Sequence, residues 1–119
     1  MNCRVVILGA EGAGKVESFG HLSVDGDKFS LAYTIAGDNC LLEGNRRTLT
    51  QSRRGSLNTD ATFSEGKRTA FILSGGELSG EIPIIPHSLE VDSKRGLKVK
   101  IDYDLGGAEI DLRLFAEYI

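Results

Sequence analysis

The chain has 119 residues, 40% hydrophobic and 26% charged, which is enough for one domain with a real core and too few for two. Its 14 Lys and Arg against 17 Asp and Glu give a net charge of -3, without the basic excess of a sequence-independent nucleic-acid binder. The longest apolar run, Val5 to Leu8, is too short for a membrane span or a secretion signal. We therefore expect one cytoplasmic domain over residues 1–119, with neither nucleic acid nor membrane as its partner.

Short segments of alternating apolar and polar residues, separated by glycine-containing turns, make up most of the chain. The clearest is 97–105, in which every odd-numbered residue is apolar and every even-numbered residue is charged. The predicted strands are, in chain order, 16–24, 28–35, 46–54, 61–64, 67–73, 80–87, 89–92, 97–105 and 108–119. Because tight turns join consecutive segments, the sequence predicts an all-β, antiparallel up-and-down barrel of about 8–10 strands rather than a Greek-key sandwich.

Two local features qualify this pattern. Hairpin turns are predicted at two three-residue segments, Asp25-Gly26-Asp27 and Gly37-Asp38-Asn39. Pro83 and Pro86 have no backbone N–H to donate, so the segment that contains them is expected on an edge of the sheet or outside it.

A glycine-rich segment, Gly9 to Lys15, has the glycine and lysine spacing of a phosphate-binding loop. A working loop of that kind needs Ser or Thr after the lysine and a helix whose first amides face the phosphates. Here Val16 follows, and an alternating segment follows it. We therefore interpret these residues as an ordinary connection between two strands.

Metal and catalytic motifs are missing from the sequence. The two histidines, His21 and His87, and the two cysteines, Cys3 and Cys40, lack the short spacings of a structural metal site. Two cysteines are enough for one disulfide bond, but we expect both thiols to stay reduced in the cytoplasm. No serine has the context of a nucleophile. We predict no metal, no cofactor and no catalytic residues.

The densest positive charge lies at Arg46-Arg47 and Arg53-Arg54, with Lys67-Arg68 adjacent if the strands form a meander. One interpretation is a site for an anion or phosphate, because arginine offers a planar fork of donors. The other, which we favour, is ion pairing with Asp60 and Glu65 or a solvated face, since exposed charge pairs are common and individually weak.

Several short motifs fall in an order that resembles the YwiB family, a bacterial domain family of unknown function with a lipocalin-like, calycin-like β-barrel. They are Tyr33 after Phe29-Ser-Leu-Ala, Arg53-Arg-Gly55, Thr62-Phe-Ser-Glu-Gly-Lys67 and Ile101-Asp-Tyr-Asp-Leu105. The resemblance runs from about Gly14 onward and matches at Tyr33, Arg54, Gly55, Phe63, Gly66 and Tyr103. It implies a closed or nearly closed antiparallel barrel in a small cytoplasmic protein, and it assigns no activity to any residue.

The leading functional hypothesis is a non-enzymatic barrel that binds a small apolar or anionic ligand inside or at its mouth. The candidate ligand-binding residues are Tyr33, Phe71 and Tyr103, which are inward apolar or aromatic positions, and Arg54, which is the expected polar anchor. The alternative is a protein-interaction module, such as a homodimer, with a solidly packed barrel and an exposed Phe115 and Ile119. An enzyme at the barrel mouth is the least favoured reading, because no convergent titratable groups can be located.

Overall fold

The computed structural model describes residues 1–9, 14–56, 58–75 and 78–119, which form ten β-strands and no helix. The strands are β1 (Asn2–Leu8), β2 (Lys15–Asp25), β3 (Lys28–Ile35), β4 (Asp38–Gly44), β5 (Thr48–Arg54), β6 (Asn58–Ser64), β7 (Thr69–Gly75), β8 (Leu78–Asp92), β9 (Leu97–Leu105) and β10 (Ala108–Tyr118). Each strand pairs antiparallel with its neighbours in sequence, and β1 pairs with β10 to close the barrel. The predicted all-β, up-and-down antiparallel barrel is confirmed.

The first strand, which the alternation pattern did not include, comes from the apolar run that precedes the glycine-rich segment. It pairs with both β2 and β10 and so completes the wall. Strand β2 begins at Lys15, the position after which a phosphate-binding loop needs a helix. Strand β1 ends just before Gly9 and strand β2 begins at Lys15, which agrees with our interpretation of this segment as a connection between two strands. Residues 10–13 lie outside the described residues.

Alternate residues of each strand point into the barrel and form a single core. The largest fully buried side chains are Leu22, Leu31, Leu49, Ile84, Ile101, Val5 and Cys3. Phe63 of β6 and Tyr103 of β9 meet edge to face with their ring centroids 4.9 Å apart. Because β7 and β8 separate these two strands in the wall, this contact spans the interior and shows that side chains fill it at that level.

The expectation that the proline segment lies on an edge or outside the sheet is wrong, because β8 is a 15-residue strand within a closed wall. Its first half, 78–84, pairs with β7, and its second half, 84–92, pairs with β9. Pro83 therefore lies where only β7 is paired, and Pro86 where only β9 is paired. A β-bulge follows between Pro86 and Ser88, so each missing N–H falls where the ladder is one-sided or irregular.

The turn between β3 and β4 is one residue earlier than predicted. Ile35 pairs with Asp38, so the loop consists of Ala36 and Gly37, both with positive φ, at 50° and 84°. Two left-handed residues are what a tight two-residue hairpin needs to match the twist of its strands. As a result Asp38 is the first residue of β4 and points into the barrel.

The two ends of the barrel differ, and we name them by their hairpins. The Gly37 end has the β3–β4 and β9–β10 turns, and the Gly26 end has the β2–β3, β4–β5, β6–β7 and β8–β9 connections. A helix with the length and apolar character needed to cross a membrane is not found in the described ranges.

Candidate functional site: a polar cluster at the Gly37 end

A row of inward positions on neighbouring strands places polar groups inside the wall. The register pairs Tyr33 of β3 with Cys40 of β4, and Cys40 with Arg53 of β5. Leu49, fully buried on β5, marks the inner face of that strand, so Gln51 and Arg53 also point inward. The sequence alone had placed the opposite set of β5 residues at the mouth.

Arg53 is held by a carboxylate that is almost completely buried. Its Nε donates to Oδ2 of Asp38 at 2.7 Å, where the Asp38 side chain is 7% exposed and the Arg53 side chain 35%. The guanidinium beside it, followed by the Ser56 amide, holds the pKa of Asp38 below its ordinary value. Only one of the five guanidinium N–H groups is used in this bond, and the Nη groups have no acceptor among the described residues.

The backbone after β5 is shaped to receive the same carboxylate. Oδ1 of Asp38 accepts the N–H of Ser56 at 3.1 Å. A Cβ on Gly55 would lie 1.8 Å from this oxygen, so only glycine leaves room for the carboxylate. Asp38 therefore joins β4 to the end of β5 and fixes the direction in which Arg53 extends.

One step deeper in the barrel, Tyr33 and Gln51 form the second polar contact. Tyr33 is 3% exposed, and its hydroxyl oxygen accepts a hydrogen bond from Nε2 of Gln51 at 3.2 Å. Burial raises the pKa of Tyr33 to about 12, with a smaller contribution from Cys40, so its phenol stays neutral at physiological pH. Burial also raises the pKa of the Cys40 thiol.

The Gly37 end also carries apolar side chains. Val16, Ile35 and Leu105 lie at the strand ends that form the Gly37 end, and each is half-buried against the core. The polar groups at this end thus come from β3, β4 and β5, and the apolar side chains come from β2, from β9 and from Ile35, the last residue of β3.

Arg54, the predicted anchor, lies on the outside of the barrel, and that prediction is wrong about its position. Its guanidinium is about half exposed and binds both carboxylate oxygens of Asp60, at 2.8 and 3.0 Å, and the carbonyl of Thr59. The pairing with Asp60 was the alternative interpretation of the arginine cluster. Because β5 alternates, choosing the small-residue face for the interior reversed Arg53 and Arg54.

The other predicted site residues point inward but are not in the polar cluster. Phe71 of β7 is half-buried and packs against the core. Tyr103 of β9 is half-buried and contacts the Phe63 ring. Of the four candidates, the structure brings only Tyr33 to the cluster, where it joins three residues that the sequence reasoning missed, Asp38, Gln51 and Arg53.

A groove of about 820 Å³ lies on the outer wall across β1–β5, and its lining includes two of the predicted site residues, Tyr33 and Arg54, together with Cys40. Its exposed apolar members include Phe19 and Ile119, which are 68% and 73% exposed, and Leu41 lies between them and Arg54. Phe115, the other predicted interface residue, lies on the outer face of β10 but is half-buried. The outer wall thus carries the apolar surface that the interaction hypothesis requires.

The cysteines and histidines form no shared site. Cys3 and Cys40 are buried with free thiols, and β2 and β3 stand between their strands. Three strand spacings separate them by about 14 Å along the wall, well beyond the reach of a disulfide. No three acidic, histidine or cysteine side chains within the described ranges converge as a metal site would require.

Comparison with known proteins finds a solved structure with a similar fold. No protein-family model and no curated protein sequence matches the chain. The crystal structure of the ywiB protein from Bacillus subtilis superposes with a TM-score of 0.74 at 17% sequence identity, over 98% of this chain and 87% of that one. At this identity the likeness concerns the fold alone. The resemblance to YwiB that the sequence motifs indicated is therefore confirmed as a shared barrel fold.

Proposed function

We propose that the protein is a non-enzymatic binding barrel that takes a small carboxylate with an apolar body at its Gly37 end. The observation that carries this proposal is the inward-facing Arg53, whose Nε is bound by Asp38 while its Nη groups remain available. Two parallel N–H donors match the two oxygens of a carboxylate. The half-buried apolar side chains of Val16, Ile35 and Leu105 would contact the apolar body.

The charges at the site favour a single anionic group over a highly charged ligand. Asp38 neutralises Arg53 in the free protein, so a bound carboxylate adds one negative charge to a neutral pair. The Ser56 amide stabilises Asp38 as an anion and so keeps the arginine in place. The core fills the deeper interior, so the ligand is expected at the mouth rather than along the barrel axis.

The test is a titration of the isotopically labelled protein with sodium decanoate, followed through the backbone amide signals of Ser56 and Asp38. Decanol is the neutral control and should bind at least tenfold more weakly, since it offers no partner for the Nη groups. Arg53→Gln should abolish the shift, and Arg53→Lys should weaken it while retaining the charge. The matched control Arg54→Gln, on the outer face, should bind as the unmodified protein does.

Absence of any shift at millimolar decanoate would overturn the proposal. So would equal binding of decanol, or equal losses from Arg53→Gln and Arg54→Gln. We place this activity in a reducing, bacterial-type cytoplasm, a setting that suits the two unpaired thiols.

The outer groove supports a second candidate, the interaction module. Large apolar side chains as exposed as Phe19 and Ile119 are typical of surfaces that pair with another protein. The occupant we consider is a second copy of the chain. Sedimentation at high protein concentration should then show a dimer that Phe19→Asp dissociates, and a monomer at all concentrations would refute it.

A further inference from the structure

The Gly26 end of the barrel collects most of the unpaired positive charge. Three neighbouring connections there each carry two adjacent cations, at Arg46-Arg47 between β4 and β5, Lys67-Arg68 between β6 and β7, and Lys94-Arg95 between β8 and β9. We call these six residues the basic rim. The predicted arginine cluster is thus split, because Arg53 and Arg54 lie at the other end of the seven-residue strand β5, about 20 Å away.

All six side chains of the basic rim are exposed, and none forms a salt bridge with another described residue. Hydrogen bonds from backbone N–H groups hold the loops that present these side chains. Oδ1 of Asn45 accepts the N–H groups of Arg47 and Thr48, and the carbonyl of Arg47 accepts the N–H of Glu65 at 3.0 Å. The β4–β5 and β6–β7 loops are therefore tied together.

The third loop approaches the first across the end of the barrel. Arg46 and Lys94 border one surface depression of about 340 Å³, whose other walls are Gly26, Val91, Asp92 and Ser93. Successive loops at one end of an up-and-down barrel are two strands apart, which places them about 10 Å from one another along the rim. The three cationic loops therefore follow one another along the same rim of the barrel.

The charge on this surface is opposite to that of the whole chain. Its three loops and their flanks carry two carboxylates, Glu65 and Asp92, so six cations leave a local net charge of +4. The net charge of the chain is -3, so the remaining residues sum to -7. The neighbouring β2–β3 hairpin carries Asp25 and Asp27, which limits the positive surface on that side.

We propose that the basic rim binds the phosphate backbone of a nucleic-acid duplex without reading its sequence. The three loops consist of residues 45–47, 65–68 and 93–96, which contain only polar, charged and glycine residues. Without an aromatic side chain they offer no platform on which the bases of a single strand would stack. Without an apolar side chain they offer no anchor for a lipid surface.

The proposal departs from the expectation drawn from the net charge, because that charge averages the two ends of the molecule. Exposed lysine and arginine pairs at this spacing are suited to phosphates, and their contribution comes from the release of counterions. The surface lies at the opposite end from Arg53, so it is independent of the carboxylate site.

The test is fluorescence anisotropy with a labelled 20-base-pair DNA duplex between 20 and 200 mM NaCl. If all six cations contact phosphates, the logarithm of the association constant should fall against the logarithm of salt with a slope of about -5. The double variant Arg46→Gln with Arg47→Gln should bring this slope about 2 closer to zero, as should Lys94→Gln with Arg95→Gln.

The matched control removes two exposed cations near the opposite, Gly37 end of the outer wall, through Lys15→Gln with Arg113→Gln, and should leave the slope unchanged. A labelled single strand of the same length should bind more weakly than the duplex. No duplex binding at 20 mM NaCl would overturn the proposal, as would an equal loss of slope in the control. Tighter binding to vesicles of phosphatidylserine than to the duplex would also overturn it, in favour of a membrane partner.

Discussion

Replacing Tyr33 with phenylalanine tests whether the polar cluster is as deeply buried as the structure describes. Burial raises the pKa of Tyr33 from its ordinary 10.0 to about 12, so the folded state favours the neutral phenol. A folded-state pKa above that of the unfolded chain gives stability that is complete below pH 10 and is lost as the pH rises toward 12. The full difference amounts to about 2.7 kcal/mol, of which about 1.4 kcal/mol is lost by pH 11.

The assay is urea denaturation at pH 9 and pH 11 for the unmodified protein and for Tyr33→Phe. Other groups titrate in both proteins and cancel in the comparison, so the unmodified protein should lose about 1.3 kcal/mol more than the variant over this range. In an ultraviolet titration, the variant should also lack the tyrosine ionisation that occurs at the highest pH in the unmodified protein. An identical pH dependence of the two proteins would refute the reasoning, because it would mean that Tyr33 ionises in the folded state as it does in water.

Three further substitutions probe the wall and the core. Ala36→Asn should stabilise the protein by about 0.5–1 kcal/mol in urea denaturation, because asparagine tolerates the positive φ of 50° better than alanine; an unchanged midpoint would contradict the assigned turn. Gly55→Ala should cost about 1–3 kcal/mol by forcing Asp38 aside, whereas Gly80→Ala, with open space around it, is the neutral control for the same measurement. Leu31→Ala, at a fully buried position, should cost about 2–5 kcal/mol in thermal or urea unfolding, and a loss below 1 kcal/mol would indicate a loosely packed interior.

Alternation was sufficient to predict the fold because each strand of a closed barrel has one dry face and one wet face. In 97–105 the two faces are separated so cleanly by charge that the inward residues could be read directly. The same rule places Tyr33, Phe71 and Tyr103 inside, as the structure has them. Fold class and strand order therefore follow from local pattern and short connections.

The polar cluster could not be predicted in the same way, because its residues depend on two assignments that the sequence pattern placed one residue off. In β5 the only large apolar residue is Leu49, and its parity was the available signal that Arg53 rather than Arg54 points inward. At the β3–β4 turn, moving the loop by one residue changes Asp38 from a turn residue to a buried one. Its contact with Arg53 also depends on the space at Gly55, which only the folded backbone reveals.

Closure of the wall through β1 and β10 has a consequence for how the chain reaches its folded state. Nine of the ten pairings between the described strands join consecutive strands, whereas Cys3 pairs with Tyr118 from nearly the opposite end of the chain. Hairpins can assemble progressively during synthesis, but two open strand margins persist until β10 leaves the ribosome. A chain that has not yet added β10 is therefore exposed to strand-mediated aggregation at both of these margins.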